Sequence, residues 1–221
     1  MTTLQSKKVQ SLLNRLHAEA REKDSASFAK FENLTEAERV AVHGDYRKHY
    51  GLLRDAFIPV GPDLGRLIYL LAVAAHAKTI VEFGTSFGIS TIYLAAALRD
   101  SGGGKLITTE MEAGKAERAK AHLTEAGLAD LVEFRVGDAL ELLRELPKAV
   151  DFLLLDGAKP LYFRVLKLVE PHLRKGAVIA SDNINTRNKI EDFTGYVREP
   201  KNGYVSVDMP LGDGIEVSMR V

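Results

Sequence analysis

The sequence predicts an α/β domain whose mostly parallel β-sheet has helices on both faces. Short apolar segments alternate with amphipathic helical segments over most of the chain, and this alternation is typical of parallel sheets. The first apolar segment ends in a glycine loop that opens a helix, as in nucleotide-binding α/β folds. The C-terminal residues alternate apolar and polar side chains around a turn, which predicts a β-hairpin appended to the sheet.

The composition fits one ordinary globular domain. The chain has 221 residues, of which 46% are hydrophobic and 27% are charged, and a chain of this length can bury a sizeable core. Its 30 basic and 30 acidic residues cancel, and no Lys/Arg cluster is large enough to follow a phosphate backbone, so we expect no nucleic-acid partner. Cysteine, a membrane-spanning apolar stretch and a signal-peptide pattern are all absent, which predicts a soluble cytoplasmic protein without a membrane partner.

The N-terminal part predicts two helices ahead of the sheet. Apolar residues recur at helical spacing from Thr2 to about Lys23, and Ser25–Ser27 is expected to interrupt this helix. Thr35 and Glu38 form a capping box that starts the second helix. The first helix has an apolar stripe that either its own domain or a second subunit must cover. This N-terminal stripe consists of Val9, Leu12, Leu13 and Leu16.

A third helix is expected to start near Pro62 and to lead directly into the first strand, Thr79–Phe83. Just before this helix, the segment Phe57–Pro62 is apolar and contains two prolines, so we expect a rigid loop. Such a loop is compatible with a lid over the glycine loop and equally with a plain connector.

The glycine loop joins the first strand to a helix that begins at Ser90. Gly84 and Gly88 allow the backbone to turn sharply and leave the amides at the helix N-terminus open to a small ligand. The second strand then ends at Glu110, and a carboxylate at this position holds ribose hydroxyls in nucleotide-binding folds. The sequence therefore predicts a nucleoside-type ligand at this loop.

The spacing of the glycine loop argues against a dinucleotide. A dinucleotide loop has the pattern G-x-G-x-x-G, but counted from Gly84 the second and third glycine positions hold Ser86 and Ile89. A pyrophosphate would fit poorly there. An NAD-linked oxidoreductase is therefore disfavoured but remains an alternative, as does a non-catalytic binding protein that retains the fold.

Polar residues follow the later strands at the same edge of the predicted sheet. Asp138, after the strand Val132–Val136, is placed to accept a hydrogen bond from an adenine amino group or to cap the next helix, and the two roles can coexist. The strand Val150–Leu155 ends in Asp156, and the strand Ala177–Ser181 ends in Asp182–Asn183. These three oxygen ligands would leave about half of an octahedral magnesium shell open. Helix caps and turns are the alternative interpretation.

The chain resembles the cation-dependent O-methyltransferases, the group that includes catechol O-methyltransferase and the caffeoyl-coenzyme A O-methyltransferases. The resemblance runs from about Val60 to Val221. Each motif is weak alone, but their order is specific. The motifs are VEFGTSFGIS, Glu110, GDA at 137–139, DGAK at 156–159, SDN at 181–183 and PLGDG at 210–214. The implied fold is the Rossmann-like class I methyltransferase fold, with a seven-stranded, mostly parallel sheet, helices on both faces and a C-terminal β-hairpin.

The resemblance also implies S-adenosylmethionine and a divalent cation, with Mg²⁺ expected. Ser90 and the loop amides would hold the methionine carboxylate, Glu110 the ribose, and Asp138 or its neighbours the adenine. Lys159 matches the base that deprotonates the acceptor hydroxyl. The implied metal ligands are Asp156, Asp182 and Asn183. The implied cofactor-binding residues are Val60, Glu82, Gly84, Ser86, Gly88, Ser90, Glu110, Met111, Asp138, Ala139 and Asp156.

The implied activity is methyl transfer to a hydroxyl of a small, catechol-like phenolic acceptor. Residues 1–58 would form a helical extension that contacts the substrate or a dimer partner, and residues 59–221 would form the methyltransferase domain. We therefore expect a homodimer. One residue departs from the pattern: catechol O-methyltransferase has a tryptophan that walls the acceptor pocket where this chain has Ala158, so the size and shape of the acceptor are open.

The C-terminal hairpin is expected to run from Tyr204 to Val221 and to turn at Leu211–Gly214. The charged segment Asn185–Gly203, between the fifth strand and the hairpin, is expected to approach the acceptor pocket. The residues predicted to face inward are Val205, Val207, Met209, Ile215, Val217, Met219 and Val221.

Overall fold

The structure, a computed structural model, describes residues 1–43, 45–185 and 190–221, without the side chains of residues 41 and 43. The strands are β1 (Thr79–Phe83), β2 (Lys105–Glu110), β3 (Val132–Val136), β4 (Val150–Leu155), β5 (Leu173–Asp182), β6 (Tyr204–Met209) and β7 (Ile215–Arg220). The α-helices are α1 (Lys7–Glu32), α2 (Glu36–His43), α3 (Tyr46–Leu52), α4 (Pro62–Ala74), α5 (Ile89–Asp100), α6 (Ala113–Ala126), α7 (Ala139–Leu142), α8 (Tyr162–Val169) and α9 (Glu191–Arg198). Among these helices, none is both long and apolar enough to cross a lipid bilayer.

The seven strands form one sheet in the order β3-β2-β1-β4-β5-β7-β6. Strands β1 to β5 pair in parallel, whereas β7 runs antiparallel to both β5 and β6. The strand order changes direction at β1, which lies between β2 and β4, and ligands of open α/β sheets bind in the crevice at such a switch point. The predicted seven-stranded, mostly parallel sheet with a C-terminal hairpin is confirmed.

Strand β4 shows why the sheet is covered on both faces. All of its residues are buried, and successive side chains of a strand point to opposite faces. Phe152 and Leu154 belong to the apolar cluster formed with α1, α4, α5 and α6. Leu153 and Leu155 belong to a second cluster formed with α7, α8 and α9. A central parallel strand therefore needs apolar residues at nearly every position, as this one has.

The strand register brings three loops together at one edge of the sheet. Phe83 is paired with Leu155, and Leu155 with Ser181. The residues that follow these positions, Gly84, Asp156 and Asp182, consequently lie side by side at the carboxyl ends of β1, β4 and β5.

Helix α1 is longer than expected, and the predicted break at Ser25–Ser27 is wrong. The helix continues to Glu32, and Ser27 is buried within it. Asp24 accepts hydrogen bonds from the backbone N–H groups of Phe57 and Ile58 at 2.6 and 2.9 Å. These tertiary contacts outweigh the weak preference of serine and aspartate against the helix interior.

The N-terminal stripe packs on its own domain. Its four residues are at most 2% exposed and belong to the first apolar cluster, because α1 contacts α5 and α6. The N-terminal stripe is therefore covered by its own domain. The homodimer stays a prediction, but without the support that an uncovered stripe would have given.

The hairpin packs only part of its predicted inward face on the core. Ile215 is buried as expected, and Met209 and Val217 pack partly buried against the first apolar cluster. On the other face, Glu216 is fully buried, accepts a hydrogen bond from Ser206, and pairs with Arg198 of α9 at 2.5 Å. This polar cluster faces α9, so the apolar side chains face away from it. The residues predicted to be inward that are instead exposed are Val205, Val207, Met219 and Val221.

Strand β5 begins at Leu173, earlier than the predicted start at Ala177. Helix α8 ends at Val169, and Pro171 lies in a short 3₁₀ turn beyond it. Proline has no N–H group for a helical hydrogen bond, which explains why the helix does not continue. The predicted approach of Asn185–Gly203 to the acceptor pocket falls partly on residues 186–189, outside the described residues.

Candidate active site

A cavity lies at the carboxyl ends of the strands around β1 and β4. The predicted site residues that line it are Val60, Gly84, Ser86, Ser90, Glu110, Met111, Asp138, Ala139, Asp156 and Lys159. Four other predicted residues do not contribute to this lining in the described structure, namely Glu82, Gly88, Asp182 and Asn183. Most of the predicted cofactor residues therefore converge on one crevice, although the motifs are far apart in the sequence.

Two glycines of the loop after β1 have different roles. Gly84 has a φ of +105°, and a Cβ atom there would lie 2.6 Å from the backbone oxygen of Asp156. Only glycine lets the loops after β1 and β4 approach this closely. Gly88 has a φ of +85°, and a Cβ atom there would press against Leu123 and Ala119 of α6. Gly88 thus serves packing, and the open surface of the cavity begins at Gly84.

Glu82 lies beneath the loop. It is completely buried, and its carboxylate accepts hydrogen bonds from the hydroxyls of Ser90, Thr91 and Thr108 at 2.6, 2.7 and 2.6 Å. Burial raises the pKa of Glu82, and the three hydroxyl donors oppose this rise. The structure therefore places Glu82 as a link between β1, β2 and α5. Because the Ser90 hydroxyl donates its hydrogen bond to Glu82, it is not available as a donor to the cavity.

Glu110 is held at the tip of β2 by two backbone amides. Its Oε2 atom accepts from the N–H of Ser86 at 2.7 Å, and its Oε1 atom accepts from the N–H of Glu112 at 2.9 Å. The carboxylate lines the cavity and keeps further lone pairs for hydroxyl donors. This is the position that the sequence predicted for a ribose contact.

Asp138 caps helix α7, as one of its two predicted roles requires. Its Oδ1 atom accepts from the N–H of Leu140 at 2.9 Å, while its Oδ2 atom pairs with Arg47 at 2.6 Å. These hydrogen bonds lower the pKa of Asp138, although its partial burial opposes them. The adenine contact stays a prediction, and it would form next to a carboxylate that already has protein partners.

Asp156, Lys159 and Asp182 form a buried charged group beside the cavity. The Nζ atom of Lys159 lies 3.6 Å from Oδ1 of Asp156, and both side chains are nearly buried. Burial raises the pKa of Asp156, the Lys159 ammonium lowers it, and the Asp182 charge raises it again. Burial likewise raises the pKa of Asp182. The positive charge of Lys159 thus acts on two poorly solvated carboxylates.

Asn183 follows with an unusual backbone conformation. Its φ is +58°, in the left-handed region that asparagine tolerates better than most residues. Its N–H donates to Oδ1 of Asp182 at 2.8 Å. This turn fixes the end of β5 next to the end of β4.

The chain is similar to known methyltransferases. Residues 81–184 match a family model described as a methyltransferase domain. The catechol O-methyltransferase of Niastella koreensis is 34% identical over 139 residues, which are 61% of this chain and 62% of that protein. The catechol O-methyltransferase of Mycobacterium tuberculosis is 37% identical over 128 residues, covering 58% and 57%. The chain spans about three fifths of the length of these two relatives.

A plant relative matches a longer part of the chain. Caffeoyl-CoA O-methyltransferase 1 of Eucalyptus globulus is 27% identical over 183 residues, 72% of this chain and 73% of that protein. The chain is thus similar to catechol and caffeoyl-CoA O-methyltransferases over much of its length.

Two solved structures of O-methyltransferases share the fold of this chain. The O-methyltransferase TomG of Streptomyces achromogenes, solved with S-adenosylmethionine, is 27% identical with a TM-score of 0.63 and covers 92% of this chain and 99% of its own. An O-methyltransferase of Bacillus cereus shares the fold, with 24% identity and a TM-score of 0.67, over 82% of this chain and 91% of its own. The fold of this chain is thus the predicted Rossmann-like class I fold.

The predicted metal ligands suit a divalent cation by their chemistry. No group of three His, Cys, Asp or Glu side chains within the described residues could hold a metal ion, so the Asn183 amide oxygen would be needed as the third protein ligand. Carboxylate and amide oxygens are the ligands that Mg²⁺ prefers. Burial raises the pKa of Asp156 and of Asp182, and a bound cation would stabilise their charged forms. The residues therefore fit the ion that the resemblance implies.

Several residues that line the cavity were not predicted from the sequence. Tyr46 and Tyr50 belong to helix α3, which was not predicted. Their i, i+4 spacing after Asp45, which caps the helix, was an available signal. Lys115 is also nearly buried, with its Nζ atom 5.4 Å from the centre of the Phe87 ring. Burial lowers the pKa of Lys115, and its place in a charged amphipathic helix gave no sign of this role.

The loop before α4 covers the glycine loop. The rings of Phe57 and Phe87 stack with centroids 4.1 Å apart, and the hydroxyl of Ser86 donates to the backbone oxygen of Phe57 at 2.6 Å. Residues 57–60 line the cavity. Of the two interpretations left open by the sequence, these contacts favour a cover over a plain connector.

Proposed function

We propose that this chain is an S-adenosylmethionine-dependent O-methyltransferase that methylates a hydroxyl of a small, catechol-like phenolic acceptor with the help of a divalent cation, Mg²⁺ in our expectation. One observation carries the proposal. The nucleoside-type crevice at Glu110 and the buried group of Asp156, Asp182 and Lys159 lie at the same edge of one sheet. A methyl donor and an ionisable acceptor can therefore be held next to each other.

The cofactor's methionine part would be bound by backbone amides of the glycine loop and not by a loop side chain. The Ser90 hydroxyl already donates a hydrogen bond to Glu82, so a methionine carboxylate would be bound by the amides at the N-terminus of α5. Glu110 would accept hydrogen bonds from the ribose hydroxyls. The cofactor supplies an electrophilic methyl group on a sulfonium, and the chain has to orient the acceptor oxygen in line with it.

The chain's own residues would prepare the acceptor. Lys159 is nearly buried beside Asp156 and, in its neutral form, would take the proton of the acceptor hydroxyl. A divalent cation, when bound, stabilises the resulting negative charge on oxygen. Methyl transfer then forms the O–CH₃ bond while the S–CH₃ bond breaks and S-adenosylhomocysteine leaves. The proton stays on Lys159 until solvent removes it.

The loop disfavours the NAD alternative, because Ser86 and Ile89 stand where a dinucleotide loop has its second and third glycines. The family matches point to methyltransferases as well. An assay for release of S-adenosylhomocysteine distinguishes an enzyme from a non-catalytic binding protein.

Release of S-adenosylhomocysteine tests the proposed function. We expect release with vicinal phenols such as catechol and none above background with matched monohydric phenols, because a single hydroxyl cannot chelate a cation. The wild-type protein would be assayed with each acceptor at saturating S-adenosylmethionine. Binding of the cofactor without turnover on any acceptor would favour the non-catalytic alternative, and binding of NAD instead would contradict the proposal.

Replacing Glu110 tests the cofactor site. We expect Glu110→Ala to weaken S-adenosylhomocysteine binding more than tenfold, since a hydrogen bond to a charged group contributes roughly 1.5 to 3 kcal/mol. Titration calorimetry measures this affinity. Glu117→Ala, which removes an exposed carboxylate from α6, is the matched control. An unchanged affinity of Glu110→Ala would place the ribose elsewhere.

A further inference from the structure

Helix α3 lies at the candidate active site although it belongs to neither the sheet nor its covering layers. Two of its residues, Tyr46 and Tyr50, line the cavity. The hydroxyl of Tyr50 donates to the backbone oxygen of Gly157 at 3.3 Å. Gly157 lies in the loop after β4, between Asp156 and Ala158. A side chain from the N-terminal region thus contacts the loop that carries the proposed metal ligand and base.

The position of α3 is fixed by contacts at both ends of the helix. Asp45 caps its first turn by accepting from the N–H of Arg47 at 2.9 Å. The guanidinium of Arg47 pairs with Asp138 at 2.6 Å. Tyr46 and Tyr50 also pack against the second apolar cluster. The ring of Tyr50 is consequently held at the cavity by the helix and by its own hydroxyl.

The loop opposite Tyr50 has no large side chain of its own at two successive positions. A Cβ atom at Gly157 would lie 2.6 Å from the Phe83 ring, so this position needs glycine. Ala158 lines the cavity but presents only a methyl group. The centre of the Tyr162 ring lies 5.4 Å from Nζ of Lys159, but this ring is fully buried and does not line the cavity. An aromatic surface that lines the cavity at this loop would therefore come from another segment. Tyr50 is the side chain that reaches this loop from α3.

The surroundings of Tyr50 keep its hydroxyl protonated. Burial raises the pKa of Tyr50, and the negative charges of Asp156 and Glu110 raise it further. The two carboxylates mark the predicted metal side and ribose side of the cavity. Tyr50 thus lies near both halves and offers a neutral ring with a bound hydroxyl.

We propose that Tyr50 is a specificity-determining residue whose ring forms the wall of the acceptor site facing Gly157 and Ala158, and that it favours small planar phenols. This inference rests on the proposed function. An aromatic ring stacks with another planar ring better than with an aliphatic chain. The wall then limits the acceptor from the side of α3, where the neighbouring Ala158 leaves room.

Substitution of Tyr50 tests the proposal. We expect Tyr50→Ala to raise KM for catechol about tenfold, the upper range for loss of an aromatic pair, while kcat changes less. Tyr50→Phe, which keeps the ring, should stay within about threefold of wild type. The affinity for S-adenosylhomocysteine should stay within about threefold in both variants. Lys48→Ala, an exposed position on the same helix, controls for changes to α3.

A second substitution tests the same wall from the other side. Ala158 is only 7% exposed, so Ala158→Trp should fill the acceptor site and weaken catechol binding about tenfold or more. Combining it with Tyr50→Ala should restore a KM closer to that of wild type, because the new ring can occupy the vacated space. A purely structural role of Tyr50 would make the double variant worse than either single variant, which would overturn the proposal.

Binding measurements separate this inference from the proposed function. Calorimetry of catechol with the protein saturated by S-adenosylhomocysteine and Mg²⁺ reports the acceptor site without turnover. If wild type binds catechol but does not methylate it, the proposed function fails while the Tyr50 comparison still stands. An unchanged catechol affinity of Tyr50→Ala, or an effect on cofactor affinity alone, would refute the wall. Thermal midpoints of all variants show that each one is folded.

Discussion

Asp182→Ala is expected to abolish turnover on a vicinal phenol and to leave cofactor affinity within about threefold of wild type. The variant removes one of two nearly buried carboxylates that are predicted metal ligands, so fewer protein oxygens remain to hold the ion. The predicted cofactor contacts, Glu110 and the amides at the start of α5, lie elsewhere in the crevice. Chelation of wild type by EDTA should give the same result. Initial rates and calorimetry measure the two quantities.

The control for this variant is an exposed carboxylate of the hairpin. Asp208→Ala removes the same charge from the surface and should keep full activity. Asp182→Asn keeps the shape of the side chain and an oxygen that can accept from the N–H of Asn183, so it separates loss of charge from loss of the turn. Added Mg²⁺ should restore activity to the EDTA-treated wild type and not to Asp182→Ala. Full activity of Asp182→Ala would exclude the predicted metal site.

Lys159→Ala is expected to lower kcat by about 10²-fold or more while metal and cofactor binding are retained. A general base contributes about 10² to 10⁴ to the rate, and Lys159 is the nearly buried base candidate beside Asp156. Part of the lost rate should return at high pH, because the phenol then ionises without help. A pH–rate profile of wild type and variant measures this difference.

Lys159→Arg is the matched control, since it keeps the positive charge next to Asp156 but cannot act as a base near neutral pH. If proton removal is the role of Lys159, the arginine variant should lose about as much rate as the alanine variant. A nearly active arginine variant would instead assign Lys159 to charge compensation. If Lys159→Ala keeps the kcat of wild type and wild type is fully active in EDTA, methyl transfer in this chain uses neither the metal nor Lys159.

The sheet could be predicted well from the sequence because its signals are local. Strands β1, β3 and β4 begin and end at the predicted residues. Each is an apolar or periodic segment bounded by glycine or by charged residues, so neighbouring positions suffice to define it. The convergence of the loops after β1, β2 and β4 followed from the parallel order alone.

The parts that were mispredicted depend on distant residues. Val205 and Val207 of the hairpin are exposed, whereas the opposite face carries Glu216, which is buried and pairs with Arg198 from another element. Helix α1 passes through the serines around residue 26 because Asp24 binds the loop at Phe57. Helix α3 contains no long apolar pattern and is held by Arg47 and Asp138, which are far apart in sequence. Pairings of this kind leave no periodic pattern in any one segment.

The carboxylate of Glu82 has a thermodynamic consequence for ligand binding. It lies at the end of β1 and holds Ser90, the second residue of α5, so one buried group joins both ends of the intervening loop. The loop is ordered before any ligand arrives, and little conformational entropy remains to be lost on binding. Calorimetric titrations of wild type should then show a small entropic penalty, and Thr108→Val, which removes one donor to Glu82, should increase it.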